Sequence, residues 1–312
     1  MNIYCIIIFA VGFLSVPLSA QDVDKIELPV EFHNGVIYVV PQMEDCVRLR
    51  FLTDTGSGTF IYGHAFDKLK LPSDGDGESV AMPKFATENW IPEPKASKGR
   101  LYIFRGKSLP GSEKLTGMLG AFWFSERTWF FDYQNQKLFL LNSHNPPEDH
   151  RGIVPIHFQK NGEGAKTTHF PRITAMIAGE EIEMLFDTGA HTLLTEAAQK
   201  RVGDGHGELR ATSFIVNSIF QKWRDRHPDW LVIERAEETY KEDMILVPTV
   251  TIAGMSVGPV WFTRRADKNF HEYMSQWMDE RVDGAIGGSA LHYFNIVVDY
   301  PNEVAIFEKF IK

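Results

Sequence analysis

Cysteine is nearly missing from this 312-residue chain, which has two. Cys5 falls in the leader described below, so Cys46 stands alone and no intrachain disulfide framework is available. Cys46 sits in an apolar-alternating stretch and is expected to be a buried strand thiol. Basic runs are also missing. Lys plus Arg number 32 against 41 Asp plus Glu, a net charge of −9, which argues against a nucleic-acid partner. The eleven histidines show no HExxH or similar ligand spacing, so no metal site is expected. Asp74-Gly75-Asp76-Gly77 opens like a calcium loop but lacks the downstream Glu. No Lys-Ser/Thr follows the glycines of residues 203–207, which excludes a phosphate loop, and no GxSxG nucleophile elbow occurs. Low-complexity tracts are absent, and 44% hydrophobic with 23% charged residues is a globular composition.

One long apolar run exists. Ile3 to Ala20 carries no charge, has its apolar centre from Ile6 to Val16, and ends Pro17-Leu18-Ser19-Ala20 before charges begin at Asp22. This reads as a signal peptide cut after Ala20, so export to a periplasm or the outside is expected, without membrane attachment after cleavage. An uncleaved anchor is the alternative for a run of this length.

What the chain has is an internal repeat. Asp54-Thr55-Gly56 recurs as Asp187-Thr188-Gly189, each after an apolar, strand-like run. At average residue frequencies chance supplies about 0.05 copies of such a tripeptide per chain. Gly117-Met118-Leu119-Gly120 recurs as Gly284-Ala285-Ile286-Gly287. Asp132-Tyr133 and Asn135 then match Asp299-Tyr300 and Asn302 at identical offsets. Asp54 precedes Gly120 by 66 residues and Asp187 precedes Gly287 by 100, so the second copy carries about 34 extra. The expected insertion is Ala211 to Trp230, where Phe214, Ile215, Ile219 and Trp223 recur at helical spacing before Pro228. Hairpins are predicted at Asn34-Gly35, at 178–180 and at Gly254, with helices at 63–69, 196–202 and 269–278. Trp123, Phe124, Trp129, Phe130 and Phe131 fit a buried strand pair. A Pro- and Asn-rich boundary falls near 142–151, giving halves of 21–145 and 146–312.

The repeat supplies two carboxylates. In a pseudo-symmetric fold, equivalent loops meet on the two-fold axis. Two carboxylates within a few ångström of one another resist double ionisation and share a proton. One then serves as a base toward water and the other as an acid toward a carbonyl oxygen. Gly56 and Gly189 allow close approach of the loops. Thr55 and Thr188 can bond across the axis. Asp132 and Asp299 read as turn residues, and His64 and His191 as surface or helix-start residues.

These paired motifs, each followed by an apolar-apolar-Gly element, resemble aspartic peptidases of the pepsin and retropepsin type over nearly the whole chain beyond the leader. The second half, Arg172 to Leu194 and Val247 to Phe307, resembles a retropepsin subunit. The resemblance implies an all-β, bilobal acid-protease fold of two retropepsin-like lobes with a few short helices. It implies an endopeptidase without metal or organic cofactor, monomeric because both copies share one chain, and holding an extended peptide or protein substrate between the lobes. Asp54 and Asp187 would be the catalytic pair, with Leu119-Gly120 and Ile286-Gly287 packed behind the loops. The chain departs from that pattern at Thr53, where an apolar residue is usual, and at Gly58. Ser57 follows the first motif and Ala190 the second. A Ser57 hydroxyl donated to Asp54 would make Asp54 the more acidic member and leave the proton on Asp187. No flap motif with its Tyr stands out. Residues 70–102 occupy the right interval, with Trp90 and Tyr102 as lid aromatics, and the helical insertion is a second possible cover. Two other readings stand beside the peptidase. One is a catalytically silent module of the same fold that binds peptides or proteins. The other is a glycoside hydrolase, which needs its carboxylates about 5 to 9.5 Å apart.

Overall fold

The structure, a computed structural model, describes residues 25–310 apart from 74, 76, 107–111 and 143–151. The expected leader and nearly all of the boundary segment lie outside the described residues.

Short turns fold apolar strands back on themselves. Asn34 and Gly35 both take positive φ, 49° and 80°, and join Val30–His33 to Val36–Val39. The same device at residues 178–179 joins Arg172–Ile177 to Glu180–Phe186, and at 253–254 it joins Val250–Ile252 to Met255–Val257. The helices Gly63–Leu69 and Glu196–Val202 form as expected, the second capped by the Thr195 hydroxyl, which accepts the Ala198 N–H at 3.2 Å.

The result is all-β with few short helices, as the sequence implies. A seven-stranded sheet gathers strands from residues 30–120, and a nine-stranded sheet gathers strands from 172–286. A six-stranded sheet joins the two halves. At its centre Thr128–Asp132 runs antiparallel to Phe294–Asp299 with Phe130 opposite Val297, so equivalent strands face each other across a pseudo-two-fold axis. The repeated Asp and Asn form turns at its edge. Asp132 Oδ1 accepts the Asn135 N–H at 2.9 Å, and Asp299 Oδ1 that of Asn302 at 3.0 Å.

Register relates the two halves. Phe51–Asp54 runs parallel to Gly117–Gly120, as Glu180–Phe186 does to Gly284–Ile286. Phe60 lies opposite Met118 on an antiparallel return strand, and Phe214 lies opposite Ala285 on another. Thr59 to Ile61 therefore corresponds to Ser213 to Ile215. This moves the insertion. Thr59 comes five residues after Asp54, whereas Ser213 comes twenty-six after Asp187. The additional chain here is the hairpin of His191–Leu193 with Leu209–Ala211 and the helix Glu196–Val202 between them. The expected helix does form, as Asn217–Arg226 with Phe220 and Trp223 buried, but it follows its strand as Gly63–Leu69 follows Phe60–Tyr62. Helical spacing identifies a helix; it does not say which copy lacks it.

Two smaller expectations also change. Trp123 and Phe124 sit on a single helical turn, Ala121–Phe124, and not on a strand. Their rings are fully buried and Trp123 lies tilted on Trp129 at 4.4 Å. Cys46 is exposed in a turn with φ 69°, because the strand begins only at Phe51.

Candidate active site

Each parallel strand pair ends at a loop, and the two loops meet. The approach is close enough that side chains are forbidden on the inner glycines. A Cβ on Gly189 would lie 2.2 Å from Asp54 Cγ, and one on Gly56 would lie 2.8 Å from Asp187 Cγ. The two Asp carboxyls thus stand against each other, close enough to share a hydrogen bond. Each also accepts the N–H of its own motif glycine at 3.0 Å, Gly56 for Asp54 and Gly189 for Asp187.

The threonines bond across the axis, as the residue types suggest. The Thr55 hydroxyl donates to the Phe186 carbonyl at 2.6 Å and accepts the Thr188 N–H at 3.0 Å. The Thr188 hydroxyl accepts the Thr55 N–H at 3.2 Å. Behind the loops, Leu119 and Ile286 are wholly buried, and the Ile286 carbonyl accepts the Asp187 N–H at 3.0 Å. The Gly120 N–H donates to Thr59 Oγ1 at 3.1 Å, and the Gly287 N–H to Ser213 Oγ at 3.0 Å. Thr53 fits its apolar surroundings because its hydroxyl donates to the Ile37 carbonyl at 3.0 Å.

Burial holds both carboxyls above the usual range. Asp54 is raised the further, by burial first and then by the charge of Asp187. Asp187 is raised by burial, but several groups oppose that. They are the bond from Asp54, the Gly189 and Ala190 N–H groups and the nearby His191. Asp54 is thus pushed up further than Asp187, the reverse of the order expected from Ser57, and the two titrate as one pair. The reason is geometric, since the Ser57 hydroxyl donates to neither carboxylate, while Ala190, lacking a hydroxyl, still contributes its N–H.

Both carboxyls line a cavity of about 250 Å³. Most of its remaining wall comes from the second half, and sequence reasoning missed it. His191 turns into this cavity instead of onto the surface, with Nδ1 2.6 Å from the Gly189 carbonyl and its basicity lowered by burial. Arg265 forks onto both oxygens of buried Glu237 at 2.8 and 3.0 Å and lies over the Phe214 ring at 4.1 Å. Tyr240 reaches the cavity from the loop 234–243 and remains 60% exposed. Neither Trp90 nor Tyr102 lines it. Tyr102 borders a separate apolar cavity of about 420 Å³ with Phe60 and Phe122, beside Gly58. The helix Asn217–Arg226 does not reach the dyad cavity either. Tyr240 and Glu237 carry no motif; only the position of their loop between two strands of the second half could have marked them.

No family model and no curated protein matches this sequence. Solved structures do match. The aspartic proteinase of Irpex lacteus superposes with a TM-score of 0.51 at 11% identity, covering 91% of this chain and 97% of that one. A retropepsin-like aspartic protease from Rickettsia conorii gives 0.30 at 14% identity, over 53% of this chain and 96% of its own. Conglutin gamma, a basic 7S globulin of lupine seeds, gives 0.46 at 10% identity over 92% and 95%. The likeness to the Irpex enzyme extends over nearly the whole chain and establishes the pepsin-like fold.

Proposed function

We propose that the chain is an aspartic endopeptidase with Asp54 and Asp187 as its catalytic pair. The observation that carries this is the abutment of two carboxyls on a pseudo-two-fold axis at the floor of an open cavity. In this mechanism ionised Asp187 takes a proton from a bound water. The water oxygen forms a bond to the peptide carbonyl carbon, and the carbonyl oxygen receives the proton of Asp54. The tetrahedral species then collapses. The C–N bond breaks as the amine nitrogen takes the proton held by Asp187, and the geminal hydroxyl returns one to Asp54. No covalent enzyme intermediate forms. Carboxyls in hydrogen-bonding contact are closer than the roughly 5 Å that a glycosidase needs, which disfavours that reading. Residues 1–20 would direct the chain out of the cytoplasm, where it would act as a monomer on exported or external protein.

The test is incubation of residues 21–312 with a diverse peptide mixture from pH 3 to 8, with new termini read by mass spectrometry. Cleavage is expected, and Asp187→Asn should lower it by about a thousandfold or more. No cleavage by folded protein at any pH would refute the peptidase and leave a peptide-binding module of the same fold.

A further inference from the structure

A second cavity of the second half lies on the other side of the loop 234–243 from the dyad. It is a groove of about 1030 Å³ between the helices Glu196–Val202 and Asn217–Arg226 and the segment 227–235. Arg201, Arg224, Arg235 and Lys241 line it, with Asp229 and Glu234 as the opposing charges. Lys241 has an exposed partner, Glu238, at 2.7 Å. None of the three arginines has a carboxylate partner among the described residues. The lining is therefore net positive by two, or by one with Glu238 counted against Lys241, on a chain of net −9. Its floor is apolar, from Leu231, Val232 and buried Ile233, and the half-buried Trp230 ring stacks on His227 at 4.1 Å.

This groove adjoins the dyad cavity. Leu194 pairs with Glu237 in an isolated bridge; on one side of it Leu193 and Tyr240 line the dyad cavity, and on the other Thr195 and Lys241 line the groove. We infer that the groove docks an acidic, extended segment of the protein substrate, outside the residues that flank the cleaved bond. Unpaired guanidinium forks match carboxylates, and the apolar floor with Trp230 matches the intervening side chains. Within a strongly acidic chain, the local surplus of positive charge selects for such a segment. The inference takes the peptidase reading as its premise.

The experiment measures docking apart from catalysis. Fluorescein-labelled decaglutamate is titrated into the Asp187→Asn full chain and followed by anisotropy, with decalysine as the control. Binding of decaglutamate alone is expected. It should weaken at least tenfold on raising NaCl from about 0.05 to about 0.5 M. It should weaken similarly in Arg201→Glu/Arg224→Glu/Arg235→Glu, with the triple Gln variant as a milder check should charge reversal impair folding. No binding, or binding indifferent to both triple variants, overturns the docking site. Tighter binding of a polyphosphate of equal charge overturns the peptide assignment. With the wild-type chain, decaglutamate should raise KM for a protein carrying an acidic tail and leave the same protein without the tail unaffected; equal effects overturn the substrate role. Docking by Asp187→Asn with no cleavage by wild type upholds the site and refutes the peptidase.

Discussion

The two halves hold the same scaffold by different chemistry. Tyr38 and Arg172 occupy one register position, opposite Leu52 and Leu185. In the first half, Arg50 lies over the Tyr38 ring at 3.9 Å. In the second, Arg172 is 6% exposed, forks onto Asp279 at 2.8 and 2.6 Å and pairs with Glu183, the counterpart of Arg50. The first half passes from its Asp loop to its return strand in five residues; the second builds a hairpin and helix there. The hairpin brings His191 and Leu193 to the dyad and braces the loop that carries Glu237 and Tyr240. Duplication thus preserved the paired loops and left the surroundings free to differ. The cavity at the dyad takes most of its wall from the second half.

The largest difference should appear in stability. Arg172→Met strands Asp279 and Glu183 without their cation. A fully buried pair broken in this way costs roughly 3–5 kcal/mol, and the partial exposure of both carboxylates, 23% and 29%, reduces that to about 3. Arg50→Met removes a half-exposed cation–π contact and should cost about 0.5–1 kcal/mol. Urea unfolding of the two variants measures both. Equal losses would show that the ion-pair cluster is no stronger a clasp than the stacked pair.

A finer asymmetry lies at the axis. The Thr55 hydroxyl makes two bonds to the other half and the Thr188 hydroxyl one. Thr55→Val should therefore cost about 2 kcal/mol and Thr188→Val about 1. Thermal melts of both variants check the ranking, and a larger loss at Thr188 would reverse it.

The repeat made the scaffold legible because strand, Asp-Thr-Gly loop and apolar-Gly element are local patterns under tight steric demand. The meeting of Gly56 and Gly189 with the opposite carboxylate follows from them. The cavity wall was not legible, because it depends on pairing across long separations. Leu194 meets Glu237, and Arg265 crosses to the same Glu237, with no local pattern to announce either contact. Cys46 misled because the alternation of apolar residues at Val47, Leu49 and Phe51 starts before the strand, which begins only at Phe51. The insertion was misplaced because the helix Asn217–Arg226 stands out in sequence, whereas the short strand Ser213–Val216 that fixes the register does not.

A pH dependence addresses which carboxyl holds the proton. A carboxyl whose pKa is raised on folding keeps a proton that the unfolded chain loses at about pH 4. Between that point and the raised folded value, the native state binds more protons than the unfolded state. Stability from this source is complete below pH 4 and is lost as pH rises through the folded value. Asp54→Asn mimics the protonated acid, preserves an acceptor for the Gly56 N–H and removes this loss. Its stability relative to wild type should therefore grow from pH 4 to pH 7, by about 1.4 kcal/mol for each unit by which the folded pKa is raised. Asp187→Asn removes the neighbouring charge but leaves Asp54 buried, so it should flatten the pH dependence only in part. Urea midpoints of wild type and both variants at pH 4, 5, 6 and 7 compare the slopes. A flatter profile for Asp187→Asn than for Asp54→Asn would move the proton to Asp187. It would also mean that the His191 side of the pair does not hold the negative charge.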